Sequence, residues 1–464
     1  MESGALSYIF YDTETTGLNV GFDQILQFAA LVTDDDLNVV EEVNLRCRLQ
    51  PHIVPAPTAL VITGIRPAEI GQAPLSHYEM IRQIAALIER TAPVVMVGFN
   101  SLGYDEGMLR QAFYQTLYPV YRTNTGGNTR MDMLRVAHAV SQYAPEVLTV
   151  PETTEGRPTF KLERLAAANA LLHDQAHDAL SDARATLDLA RLVRTRAPAV
   201  WESMRRMSGK QAAGDFVADN ELFWFTDMAF GTPTILAGRI ASNHDNPSEV
   251  AVFDLAYDPS PYLQMGVDDV RNLLKASPRL IRIVRLNSQP ILMPLEMPPA
   301  AASDVDREVA RSRARQIAAS PPFAQAVGQA VASRYPDREP PRYVEQRIYE
   351  GFPSQADTTL MAQFHAAPWP ERPAIVACLT DERLRELGER LIYLEAPETL
   401  SADIRDRYDD WKKGRLAAEQ TAPWVGLAAA RQDLEALKAV HFQETGALLA
   451  EIESYLANLA EATG

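Results

Sequence analysis

The sequence predicts an α/β protein followed by a β-rich part and a helical part. Three observations carry this. Strand-like and helix-like runs alternate up to about residue 197. Five short β-like runs, broken by Pro, Asn, Asp and Gly, fill 214–296. Beyond Arg-Glu-Pro-Pro-Arg-Tyr (338–343) the apolar residues fall at helical spacing.

In chain order, Tyr8–Asp12 reads as a short buried strand, with strand-like runs at 25–33 and 39–49. Ile81, Ile84, Ala85 and Ile88 mark a helix over 77–90. The compact apolar run 93–99 suits a strand buried on both faces. Helical segments follow at 105–117, 131–143, 160–172 and 178–196, the last with Leu180, Ala183, Leu187 and Ala190 on one stripe. The β-like runs of the middle part suggest a small barrel or open sheet, and helical patterns at 303–319 and 322–334 follow it. In the last part Ser354 and Asp357 form a capping-box pattern, Leu384, Leu387, Leu391 and Leu394 an apolar stripe, and 428–461 is rich in Ala, Leu and Glu. A chain of 464 residues exceeds one core, and the composition shifts place boundaries near 198 and 341. The resulting domains are 1–197, 198–340 and 341–464.

Composition narrows function. No stretch approaches the roughly 18 apolar residues of a membrane span, and the start lacks the basic and apolar regions of a signal peptide. Two distant cysteines, Cys47 and Cys378, exclude a disulfide framework and a cysteine zinc site and fit a reducing cytoplasm. The net charge of −17 opposes a nucleic-acid partner, yet it is unevenly spread: −7 over 1–197, −2 over 198–340 and −8 over 341–464. A near-neutral middle leaves room for a basic groove.

Chemistry is concentrated in an ordered set. Asp12 and Glu14 lie two apart at a strand end, so both face one side. Adjacent carboxylates repel unless a cation neutralises them. Asp105 follows the buried strand and opens a helix, Asp182 lies off the apolar stripe of its helix, and His177 stands just ahead of that helix. Alone, each has an ordinary reading: a solvated turn, a helix cap, a surface Asp, a surface His. Together they form Asp-x-Glu, Asp, His-x4-Asp. Such carboxylates suit two divalent ions about 3.5–4 Å apart that act on a phosphodiester, with a histidine to take a proton near neutral pH.

These residues resemble a known family. Asp12–Gly17 (DTETTG), ITGI (62–65), NSLGYD (100–105) and HDALSD (177–182) are similar to the motifs of DEDDh 3′→5′ exonucleases. The likeness to the exodeoxyribonuclease I branch runs through FKLERL (160–165), SPYLQM, QPILMP and QRIYEGFPSQAD, nearly the whole chain. It implies an RNase H-like exonuclease domain with a mixed five-stranded sheet, an SH3-like β-barrel domain and a C-terminal α-helical domain. It implies Mg²⁺-dependent 3′→5′ hydrolysis of single-stranded DNA to 5′-mononucleotides, in DNA repair and recombination. Two Mg²⁺ ions, replaceable by Mn²⁺, would be held by Asp12, Glu14 and Asp182, with Asp105 completing the acidic set and His177 as general base. Glu14 would also touch the 3′-terminal nucleotide.

Lys161 stands where the family often has Arg, keeping the charge for a substrate phosphate but losing the bidentate fork. YRTNTGGNTR (121–130) lacks the tryptophans of one relative, leaving Tyr121 and Arg130, with Arg110, as expected DNA contacts. Arg205, Arg206 and Lys210 are weaker candidates. The implied partners are single-stranded DNA and the acidic, apolar C-terminal tail of single-stranded DNA-binding protein. A monomer in the cytoplasm, with no membrane association, is expected. The nearest alternative is the same chemistry on RNA or short oligonucleotides, which the long chain after residue 197 disfavours. A scaffold with a dead nuclease fold is opposed by the complete acidic set.

Overall fold

The computed structural model describes residues 7–171, 178–228, 233–302, 305–335, 340–419, 421–440 and 445–461. The first sheet contains β1 (Ser7–Thr15), β2 (Ile25–Thr33), β3 (Val39–Arg46), β4 (Val94–Gly98) and β5 (Thr129–Asp132), in the order β3-β2-β1-β4-β5. β1 pairs antiparallel with β2 and parallel with β4, so the sheet is mixed, as expected. β2 and β4 are buried throughout, whereas β3 is an exposed edge blunted by Glu41 and Glu42.

The alternation of β1 sorts two cores. Tyr8 and Phe10 face one side, with Leu31, Val95 and Val97, against helices Met133–Tyr143, Ala179–Arg196 and Pro198–Arg206. Ile9 and Tyr11 face the other, with Phe28 and Met96, against His77–Thr91 and Asp105–Gln115. Leu384, Leu387 and Leu391 of helix Glu382–Glu395 join this second core, so part of the C-terminal helical region packs on the first sheet. Helix Leu427–Val440 and helix Gly446–Glu461 close over Pro57–Thr63 and Pro67–Gln72 through Leu434, Leu449 and Ile452 against Leu60 and Ile70. Asp433 accepts from Thr58 N at 2.9 Å and Thr58 Oγ1 at 2.7 Å, satisfying a donor in the first turn that a helix leaves orphaned. The two short helices carry the ITGI run, and Gly64, at φ 67°, ends the first.

The five β-like runs of the middle part form β6 (Phe223–Thr226), β7 (Thr234–Ser242), β8 (Glu249–Asp254), β9 (Ile281–Arg285) and β10 (Ile291–Pro294). The sheet is antiparallel, in the order β10-β6-β7-β8-β9. Only residues 286–290 join β9 to β10, and they turn, with Ser288 N donating to Arg285 O at 3.1 Å. A flat sheet would set these edges about 19 Å apart, too far for a turned link that short. The sheet therefore curls until its edges approach. The first core continues into it through Trp201, Met204, Trp224 and Met293.

Some details depart from the sequence reading. β1 runs on to Thr15 because its polar end still pairs with β2, and β5 and the helices Pro198–Arg206 and Lys210–Asp219 were not anticipated. At the start of helix Gln355–Ala366, Ser354 Oγ caps Asp357 N at 3.0 Å, but the Asp357 carboxylate takes Thr380 N and Oγ1, both at 2.7 Å. It ties two helices together instead of completing a capping box. No helix among the described residues is long and apolar enough to cross a membrane.

Because Leu60 is fully buried under the C-terminal helices, Leu60→Ala should cost about 2–5 kcal/mol in denaturant unfolding. Ile62→Ala, two residues away and 54% exposed, should stay within about 0.5 kcal/mol of the unaltered protein.

Candidate metal centre and catalytic cleft

Strand alternation places Asp12 and Glu14 on the face of β1 that Tyr8 and Phe10 occupy, the face covered by helix Ala179–Arg196. The first turn of that helix carries Asp182. One ligand oxygen from each of Asp12, Glu14 and Asp182 lies within 4.8 Å of the others. A register shift between Glu14 and Thr15 bends the strand end just beyond the pair.

The other face holds the strand in place. Thr13 Oγ1 donates to Asp105 at 2.5 Å, and Thr15 Oγ1 meets Tyr104 Oη at 2.7 Å. Asp105 thus grips the strand between the two ligand positions and adds its field to theirs without joining the trio. His177 lies outside the described residues.

The electrostatics are those of a site built for a cation. Burial, then the charges of Asp182 and Asp105, push Glu14 up to about 9. Burial, then Asp105, Asp182 and Glu14, hold Asp12 well above the usual carboxylate range. Burial pushes Asp105 up to about 6 against the pull of the Thr13 hydrogen bond. Three crowded hard oxygen donors of this kind fit a divalent cation that prefers carboxylates.

Asp178, which the sequence reading passed over, sets the geometry. It caps helix Ala179–Arg196 through Leu180 N and Ser181 N, and it accepts from Arg46 at 3.1 Å and Gln27 at 3.1 Å. Gln27 is the ladder partner of Glu14. One carboxylate thereby fixes the helix bearing Asp182 to the strands beside Glu14. The Asp immediately before an apolar helical stripe was its sequence signal.

Lys161 and Asp182 line one cleft of about 770 Å³, with Phe99, Asn100, Leu134, His138 and Ile62 of the ITGI run among its walls. The expected phosphate cation therefore shares a cavity with a metal-site carboxylate. Arg110 and Arg130 do not line it. Both bind the buried Glu106 at 3.0 Å, and the Arg130 side chain is only 10% exposed. The two arginines expected as DNA contacts thus share a buried ion-pair network, and an unpaired Glu106 would be costly. Arg110 also lies 4.9 Å from the Tyr121 ring, and Tyr121 packs on Phe352 at 5.8 Å. Arg205 pairs with Glu202 and Arg206 lies over Phe216, so neither is committed to the cleft.

The loop after Glu14 is locked from two sides. Asp23 accepts from Thr16 Oγ1 at 2.8 Å and Asn19 N at 2.7 Å, Tyr104 Oη donates to Gly17 O, and Asn19 Nδ2 donates to Pro423 O. A Cβ on Gly17 would sit 2.6 Å from the Asp23 carboxylate, so a side chain there would have to displace the group that ties the loop. Phe22 packs against Tyr343 and Trp424, and Arg415 stacks 3.9 Å from the Trp424 ring while pairing with buried Glu345. Leu18 is left 88% exposed at the loop tip.

Comparison with known proteins agrees with this geometry. Residues 9–190 match the Exonuclease family (RNase_T), and residues 342–459 match the Exonuclease I C-terminal domain. Exodeoxyribonuclease I of Haemophilus influenzae is 27% identical over 438 residues, covering 88% of this chain and 90% of its own. Exodeoxyribonuclease I of Escherichia coli is 29% identical over 400 residues, covering 82% and 84%. Exonuclease I of Methylocaldum szegediense superposes with a TM-score of 0.85 at 25% identity, covering 98% of this chain and 99% of its own. E. coli exonuclease I in complex with a dA16 oligonucleotide gives 0.84 at 25% identity, with the same coverage. A structure described as SSB/Exonuclease I with an inhibitor also gives 0.84 at 25% identity, covering 98% of this chain and 100% of its own. The acidic trio thus sits in an exonuclease domain, a nuclease of the hydrolase class. With its matching C-terminal domain, the chain combines the Exonuclease domain and the Exonuclease I C-terminal domain, and the relatives and structures it is similar to are exonuclease I.

The raised carboxylates give a signed pH dependence. Glu14 titrates near its ordinary value of 4.5 when unfolded and near 9 when folded. Ionising it costs the fold, so without metal the protein should lose stability as pH rises through that window. A divalent cation should restore stability, more so at the alkaline end. Asp12→Asn should raise the Tm of the metal-free protein and remove most of the cation-induced rise, as read by thermal unfolding from pH 5 to 9 with and without EDTA.

Proposed function

We propose that the protein is a Mg²⁺-dependent 3′→5′ exodeoxyribonuclease that shortens single-stranded DNA and releases 5′-mononucleotides, serving DNA repair and recombination. The observation that carries this reading is the convergence of Asp12, Glu14 and Asp182 at the edge of a cleft that also presents Lys161. The oligonucleotide complex of the E. coli relative supports single-stranded DNA as substrate. Three domains, 1–197, 198–340 and 341–464, divide the labour, with the chemistry in the first.

Asp12, Glu14 and Asp182 would hold Mg²⁺, as two ions that Mn²⁺ can replace. The metal supplies charge neutralisation at the scissile phosphate and polarises its oxygens. Glu14 also orients the 3′-terminal nucleotide, Asp105 keeps the strand end rigid through Thr13, and Lys161 draws the phosphate into the cleft. His177 takes the proton of the attacking water on a ring nitrogen. The departing group is the 3′-hydroxyl of the shortened strand. Upstream, Tyr121, Tyr349 and the 81% exposed Phe352 line a cavity of about 270 Å³ that suits base stacking without sequence readout. Arg110, which lies over the Tyr121 ring, and Arg130 stand beside it as the remaining strand contacts of this reading.

The SSB/Exonuclease I structure supports a second binding partner, the acidic C-terminal tail of single-stranded DNA-binding protein. The protein binds it as a monomer in the cytoplasm. Retention on the immobilised tail peptide at low salt tests this, and loss of retention there counts against it.

On 5′-labelled single-stranded DNA with Mg²⁺, a ladder should shrink from the 3′ end, faster than on matched RNA. Asp12→Ala should abolish nucleotide release while sparing strand binding in EDTA; release at the unaltered rate sinks the site assignment. Lys161→Ala removes a charge-assisted contact of about 1.5–3 kcal/mol, so kcat/KM should fall roughly 10- to 100-fold in steady-state assays.

A further inference from the structure

One wall of the catalytic cleft does not hold itself in place. Ile62 lines the cleft from helix Pro57–Thr63, and helix Pro67–Gln72 follows just after the Gly64 turn. Helices of seven and six residues are too short to be stable alone. Each opens on proline, and the residue ahead of each, Ala56 or Arg66, gives no side-chain cap.

The caps come instead from the far end of the chain. Asp433 of helix Leu427–Val440 accepts from Thr58 N and Thr58 Oγ1. Glu451 of helix Gly446–Glu461 accepts from Ala68 N at 3.0 Å and Arg66 Nε at 2.8 Å. Thr58 and Ala68 are each the second residue of their helix, where the backbone donor has no partner within the helix. Lys438 Nζ, 2.7 Å from Glu453, ties the two capping helices to each other.

The apolar packing follows the same plan. Leu60, Ile65 and Ile70 are buried with Leu434, Leu449 and Ile452, and the first sheet adds only Leu26 among the described residues. Leu60 and Ile62 stand about 200° apart round the helix. Burying Leu60 therefore turns Ile62 outward, and the two are 0% and 54% exposed. Thr58 lies one turn ahead of Ile62 on the same side. Of the two short helices, Ile62 alone reaches the cleft, and C-terminal side chains fix both the roll and the seat of the helix that carries it.

We propose that the C-terminal helix pair is a clamp on the cleft wall, with Asp433 and Glu451 as positioning residues that set Ile62 against the end of the bound strand. The inference rests on the exonuclease reading given above. It gives helices Leu427–Val440 and Gly446–Glu461 a part in seating the strand from outside the cleft.

A double-mutant cycle tests it. Ile62→Ala should raise KM for single-stranded DNA about tenfold with kcat little changed, the mark of a contact made equally with bound strand and transition state. Asp433→Ala should raise KM roughly threefold or more, a coupling in the range for groups that act through one contact. Asp433→Asn, whose amide oxygen still accepts from Thr58 N, should restore KM. In the Ile62→Ala background Asp433→Ala should add nothing to KM, because the side chain it positions is gone. If Asp433→Ala unfolds, Glu451→Ala, at a partly exposed side chain, takes its place in the cycle. The cation-induced rise in Tm serves as the control for an intact metal site. A lower Tm with unchanged KM overturns the clamp, as do KM effects that multiply in the double variant or an unaltered KM in Ile62→Ala. If the unaltered protein itself releases no nucleotides, the exonuclease reading fails instead. Affinity for a single-stranded oligothymidylate in EDTA, followed through the same cycle, then decides the clamp separately: non-additive losses uphold it, and additive losses or none overturn it.

Discussion

Everything in this molecule is arranged around the crowding of like charges at the end of one strand. Asp12 and Glu14 cannot avoid each other, because a strand turns alternate side chains to the same face. Asp182 is brought against them by a helix, and Asp105 and Asp178 add their fields. Such an assembly disfavours its own ionisation, so it persists only where the surrounding structure over-determines it. The two cores that sandwich β1, the Thr13–Asp105 bond and the Asp178–Arg46–Gln27 contacts supply that constraint.

The C-terminal helical region takes part in this constraint. It contributes leucines to one core of the first sheet, seats the ITGI helices through Asp433, and holds Phe22 between Tyr343 and Trp424. The loop that directly follows Glu14 is thereby fastened by residues some 400 positions away in the chain. The buried Glu345–Arg390–Arg415 cluster behind it has paired charges and aromatic faces on which the guanidiniums lie. Breaking one member would leave an uncompensated charge, so the cluster acts as a unit.

The middle sheet shows how connectivity dictates shape. A short turned link between its two edge strands forces the curl, and the curl gathers Arg282 and Arg285 of β9, Arg279 just before it, Arg135 of helix Met133–Tyr143 and Arg334 after helix Pro321–Ala332 around one cavity. The near-neutral charge of residues 198–340 against acidic flanks was the only trace of this in composition. The charge average could not show that the cations would face one point.

The sequence by itself determined the element types, the order of the acidic residues and the pairing of Asp12 with Glu14, because period-2 and period-3.6 patterns and residue spacing are local properties. It also carried the resemblance to exonuclease I, since the motifs stand in fixed order along the chain. Polar strand ends escaped it: β1 beyond Asp12 and the short β5 are held by ladder partners and not by apolar side chains. Only the tertiary structure decided which charges meet. Asp182 joins the trio and Asp105 stands behind it, Asp178 becomes the anchor, and Arg110 and Arg130 turn inward to Glu106. The reason is physical: whether a charged side chain serves a ligand or a buried partner depends on what is packed opposite it, and that neighbour comes from elsewhere in the chain.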